Sequence, residues 1–253
     1  MNKIVRFAAG AFILLPILGT ALAATSVDFS HGPWGGGATL DWLRYAWAPL
    51  APAVARSMAV AALVVVLNLA LGGVIAWWIA RTASPVTRVV SYLVNVPLAV
   101  PGIALSVALV GTFPALRPSG FLLVMAHVVL TLPFTLAALV PVLSDDGLKA
   151  AEEVAASLGA RSVHVVRTIT APACALATAQ AASMVFALSF GEFNISFFVN
   201  APAAPTVPFA LFDSYSTGRL ELASAQTMIF IAFIIPVLMA IVSIQRRARR
   251  NDS

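Results

Sequence analysis

The chain has 253 residues, of which 60% are hydrophobic and only 10% are charged, and its mean hydropathy is +0.96. Soluble domains are about 45–50% apolar and about 25% charged, so this chain could not bury its apolar surface and still present a polar exterior to water. The composition excludes an ordinary cytosolic enzyme and a disordered chain, and the single cysteine excludes a disulfide scaffold. The net charge of +5 is better explained by basic cytoplasmic loops of a membrane protein than by nucleic-acid binding.

Residues 4–24 form the first apolar segment, with Lys3 and Arg6 at its start and small residues at its end. This pattern fits a cleavable signal peptide and equally an uncleaved first membrane span. We favour the uncleaved span, followed by a Gly-rich and aromatic periplasmic loop up to residue 56.

Five further apolar segments are each long enough to cross a bilayer, which takes about 20 residues. Backbone groups in lipid must be satisfied within the segment, so these continuous runs predict helices and not the alternating strands of a barrel. The predicted spans cover residues 57–80, 89–112, 120–143, 173–199 and 225–244. The sequence therefore predicts an all-α, polytopic membrane protein with six transmembrane helices.

The basic residues indicate how these spans are oriented. With the N-terminus in the cytoplasm, eleven Lys and Arg residues lie inside and four outside, as the positive-inside rule requires. Both termini are therefore expected in the cytoplasm, and Pro202 is expected in an outside loop. The predicted organisation is a first helix and periplasmic loop over 1–56, a transmembrane domain over 57–245 and a basic cytoplasmic tail over 246–253.

Residues 144–172, between the fourth and fifth spans, are too regular in pattern for a linker. Asp145 and Asp146 suit a helix start, where carboxylates meet the positive end of the helix dipole. The Ala-rich run that follows favours a helix up to Leu158. Gly159 is expected to end this helix in a left-handed conformation.

A second short helix is predicted, capped by Ser162 and running through Thr170, before Pro172 opens the next span. The pair of short helices could be a surface element that rests on lipid headgroups or a docking element for a soluble partner. Composition alone does not decide between these two interpretations.

The spacing of residues in 144–172 resembles the EAA loop of ABC importer permeases, which are the binding-protein-dependent inner-membrane components of the type I importer fold. The family pattern joins Glu-Ala-Ala to a Gly, an Ile and a Leu-Pro pair at fixed spacings. This chain departs from it at Val154 and Ala171, which are both small or apolar. The matching residues are Glu153, Ala155, Gly159, Ile169 and Pro172.

The resemblance implies that 144–172 carries a coupling helix, which would sit in a groove of a cytoplasmic ATPase subunit. The implied partners are ABC ATPase subunits, a second permease subunit (identical or different), a periplasmic solute-binding protein and the lipid bilayer of a bacterial inner membrane, with no nucleic acid and no cofactor. The chain contains no G-x-x-x-x-G-K-[ST] phosphate loop. ATP hydrolysis is therefore expected on a separate chain, and this one is expected to be no enzyme.

Polar residues at membrane depth are costly and are candidates for function. Glu192 and Asn194 interrupt the fifth span, and the resemblance places them on the translocation path. The alternative is a glutamate that is tied to a neighbouring helix or sits near the outer interface. Asn95 and Pro101 lie in a proline-rich part of the third span, where a gate or pore lining and a simple packing kink both fit.

Two other polar residues have simpler interpretations. His127 is a lone histidine in the fourth span and is predicted to make a packing hydrogen bond instead of relaying protons. Asn68, next to Gly72 and Gly73, is predicted to allow close helix packing.

The substrate and the class of transporter are less constrained. The segment 190–215 looks most similar to permeases for polyamines, with relatives for aminophosphonate, thiamine, ferric iron and sulfate. A carboxylate on the path would favour a cation, so the expected solute is spermidine- or putrescine-like.

A secondary transporter or channel usually shows inverted repeats, which are not evident here. An intramembrane enzyme would be expected to carry a motif such as H-E-x-x-H or G-x-S-x-G, and neither occurs.

Overall fold

The computed structural model describes residues 3–201 and 204–251, so Pro202 lies outside the described residues. In these two ranges the regular elements are helices, apart from one isolated bridge between Ser26 and Ala38. Five of the described helices are long and apolar enough to cross a membrane, or six if one bent pair counts as a single span. The prediction of an all-α polytopic membrane protein is confirmed. The sidedness of the termini stays a prediction.

The described helices follow one another with connections of different lengths, the longest of which is the segment 25–40 between α1 and α2. They are α1 Lys3–Ala24, α2 Asp41–Leu67, α3 Gly73–Arg81, α4 Pro85–Ala99, α5 Gly102–Thr112, α6 Phe121–Leu143, α7 Asp146–Ser157, α8 Ser162–Val165, α9 Ala171–Phe190, α10 Asn194–Val199, α11 Val207–Ser216 and α12 Leu220–Asn251. A first π-helical segment, Asn68–Gly72, joins α2 to α3, and a second, Val166–Thr170, joins α8 to α9. The chain is therefore helical without a break from Asp41 to Arg81 and from Ser162 to Phe190.

The chain forms two compact units. The first comprises Met1–Arg56 and Ala204–Val237, and the second comprises Ser57–Ala203 and Leu238–Ser253. The predicted domain boundaries stay a prediction. The predicted basic tail continues α12 as helix to Asn251.

In the first unit, the segment between α1 and α2 is fixed by hydrogen bonds to side chains. The Phe29 amide donates to Glu221 Oε1 at 2.8 Å, and Trp42 Nε1 donates to the Ser26 carbonyl at 2.9 Å. The hydroxyl and amide of Ser30 both donate to Asp28 and hold the pKa of that carboxyl below its usual range.

In the second unit, α6 is the central helix, and it packs against α3, α4, α9 and α10. At one end, Leu139 is buried in a cluster with Ala76 and Ala177. At the other end, Leu123 is buried with Ile195 of α10. Apolar contacts therefore attach other helices of the second unit to α6 at both of its ends.

The first π segment is packed tightly against α6. Asn68 is fully buried, and its Nδ2 donates to Thr131 Oγ1 at 2.9 Å. A Cβ atom on Gly72 would lie 2.8 Å from Thr135 Cγ2. Gly73 has open space where its Cβ would be. The predicted close packing is thus confirmed for Asn68 and Gly72 and does not extend to Gly73.

The third predicted span, 89–112, differs from one straight helix. It consists of α4 and α5, which are bent by 102° relative to each other. The bend lies at Val100 and Pro101, both of which have extended ψ angles. Proline lacks an amide proton and disfavours the helical conformation in the residue before it, so the helix ends at Ala99 and restarts at Gly102.

The fifth predicted span, 173–199, also differs. No separate helix ends at Thr170, because the second π segment continues directly into α9 with Pro172 in its first turn. Arg161, and not the predicted Ser162, occupies the cap position before α8. At its other end α9 stops at Phe190, and α10 restarts at Asn194. The helix therefore begins earlier than predicted, at Ser162, and the predicted span is interrupted between Phe190 and Asn194.

The contrast between Gly72 and Gly73 gives a test of the packing. Gly72→Ala should lower the free energy of unfolding by about 1–3 kcal/mol, because the new methyl group overpacks the contact with Thr135. Gly73→Ala is the matched control and should be neutral or stabilise by about 0.5–1 kcal/mol, since it adds helix propensity in open space. Thermal unfolding of both variants in detergent measures the difference. Equal midpoints would contradict the close approach of the first π segment to α6.

Candidate functional site

The helix α7 begins as the sequence predicts. Asp145 is in an extended conformation before the helix, and its Oδ1 accepts a hydrogen bond from the Leu148 amide at 2.9 Å. Asp146 lies in the first turn, with its side chain 99% exposed. A capping carboxylate and a second acid at the positive end of the helix dipole stabilise this start.

The bend after α7 depends on Gly159, which has a φ of +86°. The Gly159 amide donates to the Ala156 carbonyl and the Ala160 amide to the Ala155 carbonyl, both at 3.0 Å. These two bonds form a Schellman motif, which satisfies carbonyls at the end of the helix and needs a left-handed residue. The predicted helix end at Gly159 is confirmed.

The exposed side of α7 and of the residue that follows it carries two large apolar side chains and, besides Asp146, the carboxylate of Glu153. Leu158 is 82% exposed and Val154 is 59% exposed. Glu153 is also exposed, whereas Ala155 is half-buried. Large apolar side chains beside a charge on a short helix suit contact with a second protein.

The two remaining residues of the EAA pattern lie beyond the bend. Ile169 is half-buried in the second π segment, and Pro172 is exposed in the first turn of α9. The five matched residues thus lie on the stretch of chain that runs from α7 through the bend and the second π segment into α9. Their role in coupling stays a prediction.

Glu152 is a site residue that the sequence analysis missed. Its Oε2 lies 2.8 Å from Arg81 Nη2 at the end of α3, and its Oε1 accepts a hydrogen bond from Thr170 Oγ1 at 2.6 Å. Arg81 also lies over the Trp77 ring, with its guanidinium carbon 4.8 Å from the ring centroid. Arg81 is far from Glu152 in sequence, so spacing could not predict this ion pair. The EAA pattern pointed only to the adjacent Glu153.

A cavity of about 570 Å³ lies between α3 and the α7–α8 element. It is open to one side and combines an apolar wall with charged side chains. Its lining includes Trp77, Arg81, Lys149, Glu152, Glu153 and Val165. The coupling segment therefore lies beside a groove.

The Schellman bend gives a second test. Gly159→Ala should raise the rate of amide exchange at residues 159 and 160 about five- to thirtyfold, because a left-handed conformation costs an alanine about 1–2 kcal/mol. Gly159→Asn should show a smaller increase, since asparagine tolerates this conformation. Hydrogen–deuterium exchange followed by mass spectrometry measures both. An unchanged exchange rate in Gly159→Ala would show that the bend does not need a left-handed residue.

A second candidate site is the buried polar cluster at the break between α9 and α10. Glu192 Oε2 accepts hydrogen bonds from the amides of Ile195 at 2.8 Å and Ser196 at 3.0 Å. The glutamate therefore caps the first turn of α10 with a negative charge, which the helix dipole favours.

His127 of α6 contacts this cluster. Its Nδ1 is 2.9 Å from Ser189 Oγ, and its Nε2 is 3.2 Å from Ser196 Oγ and 3.9 Å from Glu192 Oε2. Hydroxyls can donate or accept, so both neutral tautomers of the ring are satisfied. The predicted packing hydrogen bond of His127 is confirmed.

The breaks in the third and fifth predicted spans lie next to each other. A Cβ atom on Gly102 would lie 3.1 Å from Asn194 Cβ, and Ser106 Oγ donates to the carbonyls of Gly102 at 2.6 Å and Asn194 at 3.2 Å. Pro101 is exposed at the bend itself. The structure thus brings Pro101, Asn194 and Glu192 into one region of the second unit.

Asn95 is placed differently from these three residues. It is exposed on α4, and its Nδ2 donates to the Ser91 carbonyl of the same helix at 2.7 Å. The roles of all four residues in a translocation path stay predictions.

The contacts of Glu192 predict the outcome of its neutralisation. Glu192→Gln should lower the free energy of unfolding by about 0.5–2 kcal/mol, because a charged cap on two amides is lost. Asp213→Asn on α11 removes an exposed carboxylate and should leave the midpoint unchanged. Thermal unfolding and solute uptake are measured together. Unchanged stability with reduced uptake would contradict the capping role and favour direct contact with solute.

Comparison with known proteins finds relatives among transport permeases. No family model matches the chain. PhnV of Salmonella typhimurium, named as a 2-aminoethylphosphonate transport system permease protein, is 26% identical over 161 residues, which are 62% of this chain and 60% of that protein. The chain thus spans less than two thirds of PhnV. ModB of Azotobacter vinelandii, a molybdenum transport system permease protein, is 29% identical over 214 residues, which are 77% of this chain and 93% of ModB. These relatives support the assignment of the chain to the ABC transport permeases.

Proposed function

We propose that the chain is the permease subunit of a binding-protein-dependent ABC importer and forms half of a pathway for a small polar solute across the bacterial inner membrane. The observation that carries this proposal is the α7–Gly159–α8 element, a capped helix and left-handed bend with the residue spacing of an EAA loop. The similarity to PhnV and ModB supports it. The proposed partners are ATPase subunits, a second permease subunit, a periplasmic binding protein and the lipid bilayer.

In this proposal α7 is the coupling helix. Leu158 and Val154 would enter an apolar groove of the ATPase, and Glu153 would pair with a basic residue at its edge. Burial of a leucine of this exposure contributes about 1.5–3 kcal/mol. Closure of the ATPase pair on ATP would then move α7 and switch the permease pair between its two access states. The ATP is hydrolysed on the ATPase chains.

The proposed translocation path runs along the adjacent helix breaks of the second unit. Glu192, Asn194, Asn95 and Pro101 are the residues proposed to lie on it. Irregular backbone at membrane depth is tolerated only where it is buried in protein or lines a water-filled cavity, and this rule supports a path at the breaks.

The proposed substrate is a small polar solute, and two classes compete. A spermidine- or putrescine-like cation was expected from a carboxylate on the path, but Glu192 already accepts two backbone amides. The relatives are named for 2-aminoethylphosphonate and molybdenum transport. We therefore rank an aminophosphonate or an oxyanion such as molybdate or sulfate ahead of a polyamine, with thiamine and ferric iron as further candidates.

A secondary transporter or channel subunit is the second candidate function. It is favoured by one observation, the contact between two broken helices, because such transporters place broken helices around their binding sites. It would work without an ATPase, so subunit composition separates the two proposals.

Copurification tests the proposed function. The tagged chain, expressed with its genomic neighbours, should bring down an ATPase, and mass spectrometry of the copurified binding protein should identify the solute. Leu158→Asp should reduce ATPase recovery about tenfold or more, because a charge replaces buried apolar contact. Leu40→Asp is the matched control, since Leu40 is 68% exposed but lies before α2. Uptake by the chain alone, independent of ATP, would contradict the proposal and favour the secondary transporter.

A further inference from the structure

We propose that Glu152 is a positioning residue that joins the coupling helix α7 to the helices of the second unit, through Arg81 and Thr170. The inference rests on the proposed function, because it explains how movement of α7 would reach the membrane helices. It concerns the residue beside the EAA pattern and not the pattern itself.

One carboxylate makes contacts with two other elements. Arg81 Nη2 lies 2.8 Å from Oε2 and 3.0 Å from Oε1 of Glu152, and Thr170 Oγ1 lies 2.6 Å from Oε1. Arg81 is the last residue of α3, and Thr170 is the last residue of the second π segment. Glu152 therefore binds α7 to the end of α3 and to the π segment that continues into α9, and both α3 and α9 belong to the transmembrane core.

The surroundings of this ion pair strengthen it. The side chains of Arg81 and Glu152 are only 20% and 14% exposed, so salt screens their attraction less than it screens a surface pair. The Trp77 ring under the guanidinium adds a cation–π contact. Removal of either partner would leave the other charge half-buried without its counterion, which is the costly outcome for such pairs.

Both helices held by Glu152 contain a π-helical segment. The first π segment precedes α3 and contacts α6 and α9, and the second contacts α7, α8 and α9. π-helical turns occur frequently at functional sites in α-helices. Here the second one contains Thr170 itself, and the first one precedes α3, which packs directly against α6. A displacement of α7 would thus reach α6 through α3, and α9 through the second π segment.

The two adjacent glutamates of α7 differ in what surrounds them. Consecutive residues on a helix are rotated by about 100°, so Glu152 faces α3 while Glu153 is exposed. Glu152 would transmit movement within the permease, and Glu153 would contact the ATPase. Loss of Glu152 should then reduce coupling while the ATPase remains bound.

The test uses the full permease, copurified with its ATPase, in nanodiscs. Glu152→Gln and Arg81→Gln should retain ATPase recovery, but ATP turnover stimulated by the binding protein should fall about five- to tenfold, which lies within the range for residues that carry coupling between sites. Thr170→Val should give a smaller fall. The double variant Glu152→Arg with Arg81→Glu should regain at least half of the stimulation. Asp213→Asn is the control, an exposed carboxylate on α11 outside the coupling segment, and should behave as the unchanged protein.

The outcomes separate this inference from the proposed function. Absence of an ATPase from the unchanged protein would contradict the proposed function. With the ATPase present, full stimulation in Glu152→Gln and Arg81→Gln would overturn the role of Glu152. If the single variants are too unstable to purify, the double variant tests the role of Glu152 instead. Exchange of the two charges restores the ion pair, so coupling that depends on this pair should return. A double variant that assembles without regaining stimulation would also overturn the inference.

Discussion

The need to satisfy every backbone polar group inside a bilayer is the constraint on which the rest of this structure depends. It makes the apolar segments helical, and it makes any interruption costly unless other groups take over the lost hydrogen bonds. At the break before α5, Ser106 donates to the Gly102 and Asn194 carbonyls. At the break before α10, Glu192 accepts the amides of Ile195 and Ser196. At both interruptions a side chain, Ser106 or Glu192, thus forms hydrogen bonds with the backbone groups near the break.

The same constraint explains why the polar residues of the second unit are gathered together. A single break would need its own set of polar partners, whereas two adjacent breaks share them. Asn194 contributes its carbonyl to the contact with Ser106, and Ser196 joins α10 to His127 on α6. The close contact between Gly102 and Asn194 favours a residue without a side chain at the bend, because a Cβ atom on Gly102 would lie only 3.1 Å from Asn194 Cβ. This cluster is therefore the part of the unit where helix packing and polar chemistry coincide.

Local signals in the sequence were sufficient for the spans and for the ends of α7. Asp145 and Gly159 act on amides and carbonyls within a few residues, so their positions predict the cap and the bend. The 102° angle between α4 and α5 was not predictable, because Pro101 permits a bend but contacts with the distant Asn194 set its direction. Continuity through Pro172 was missed since no composition signal marks a π segment. The partner of Glu152 lies 71 residues away in sequence, beyond the reach of spacing arguments.

Charge alone does not identify a binding residue in such a protein. Glu192 is a carboxylate within a predicted span, yet one of its oxygens already accepts two amides of α10, so its charge alone is no evidence of contact with the solute. The comparison of Glu152 and Glu153 leads to the same criterion. The carboxylate whose hydrogen bonds are completed within the chain serves the architecture, and the exposed neighbour is the one available to another protein. The assignment of function to an acidic residue here depends on what its oxygens already contact.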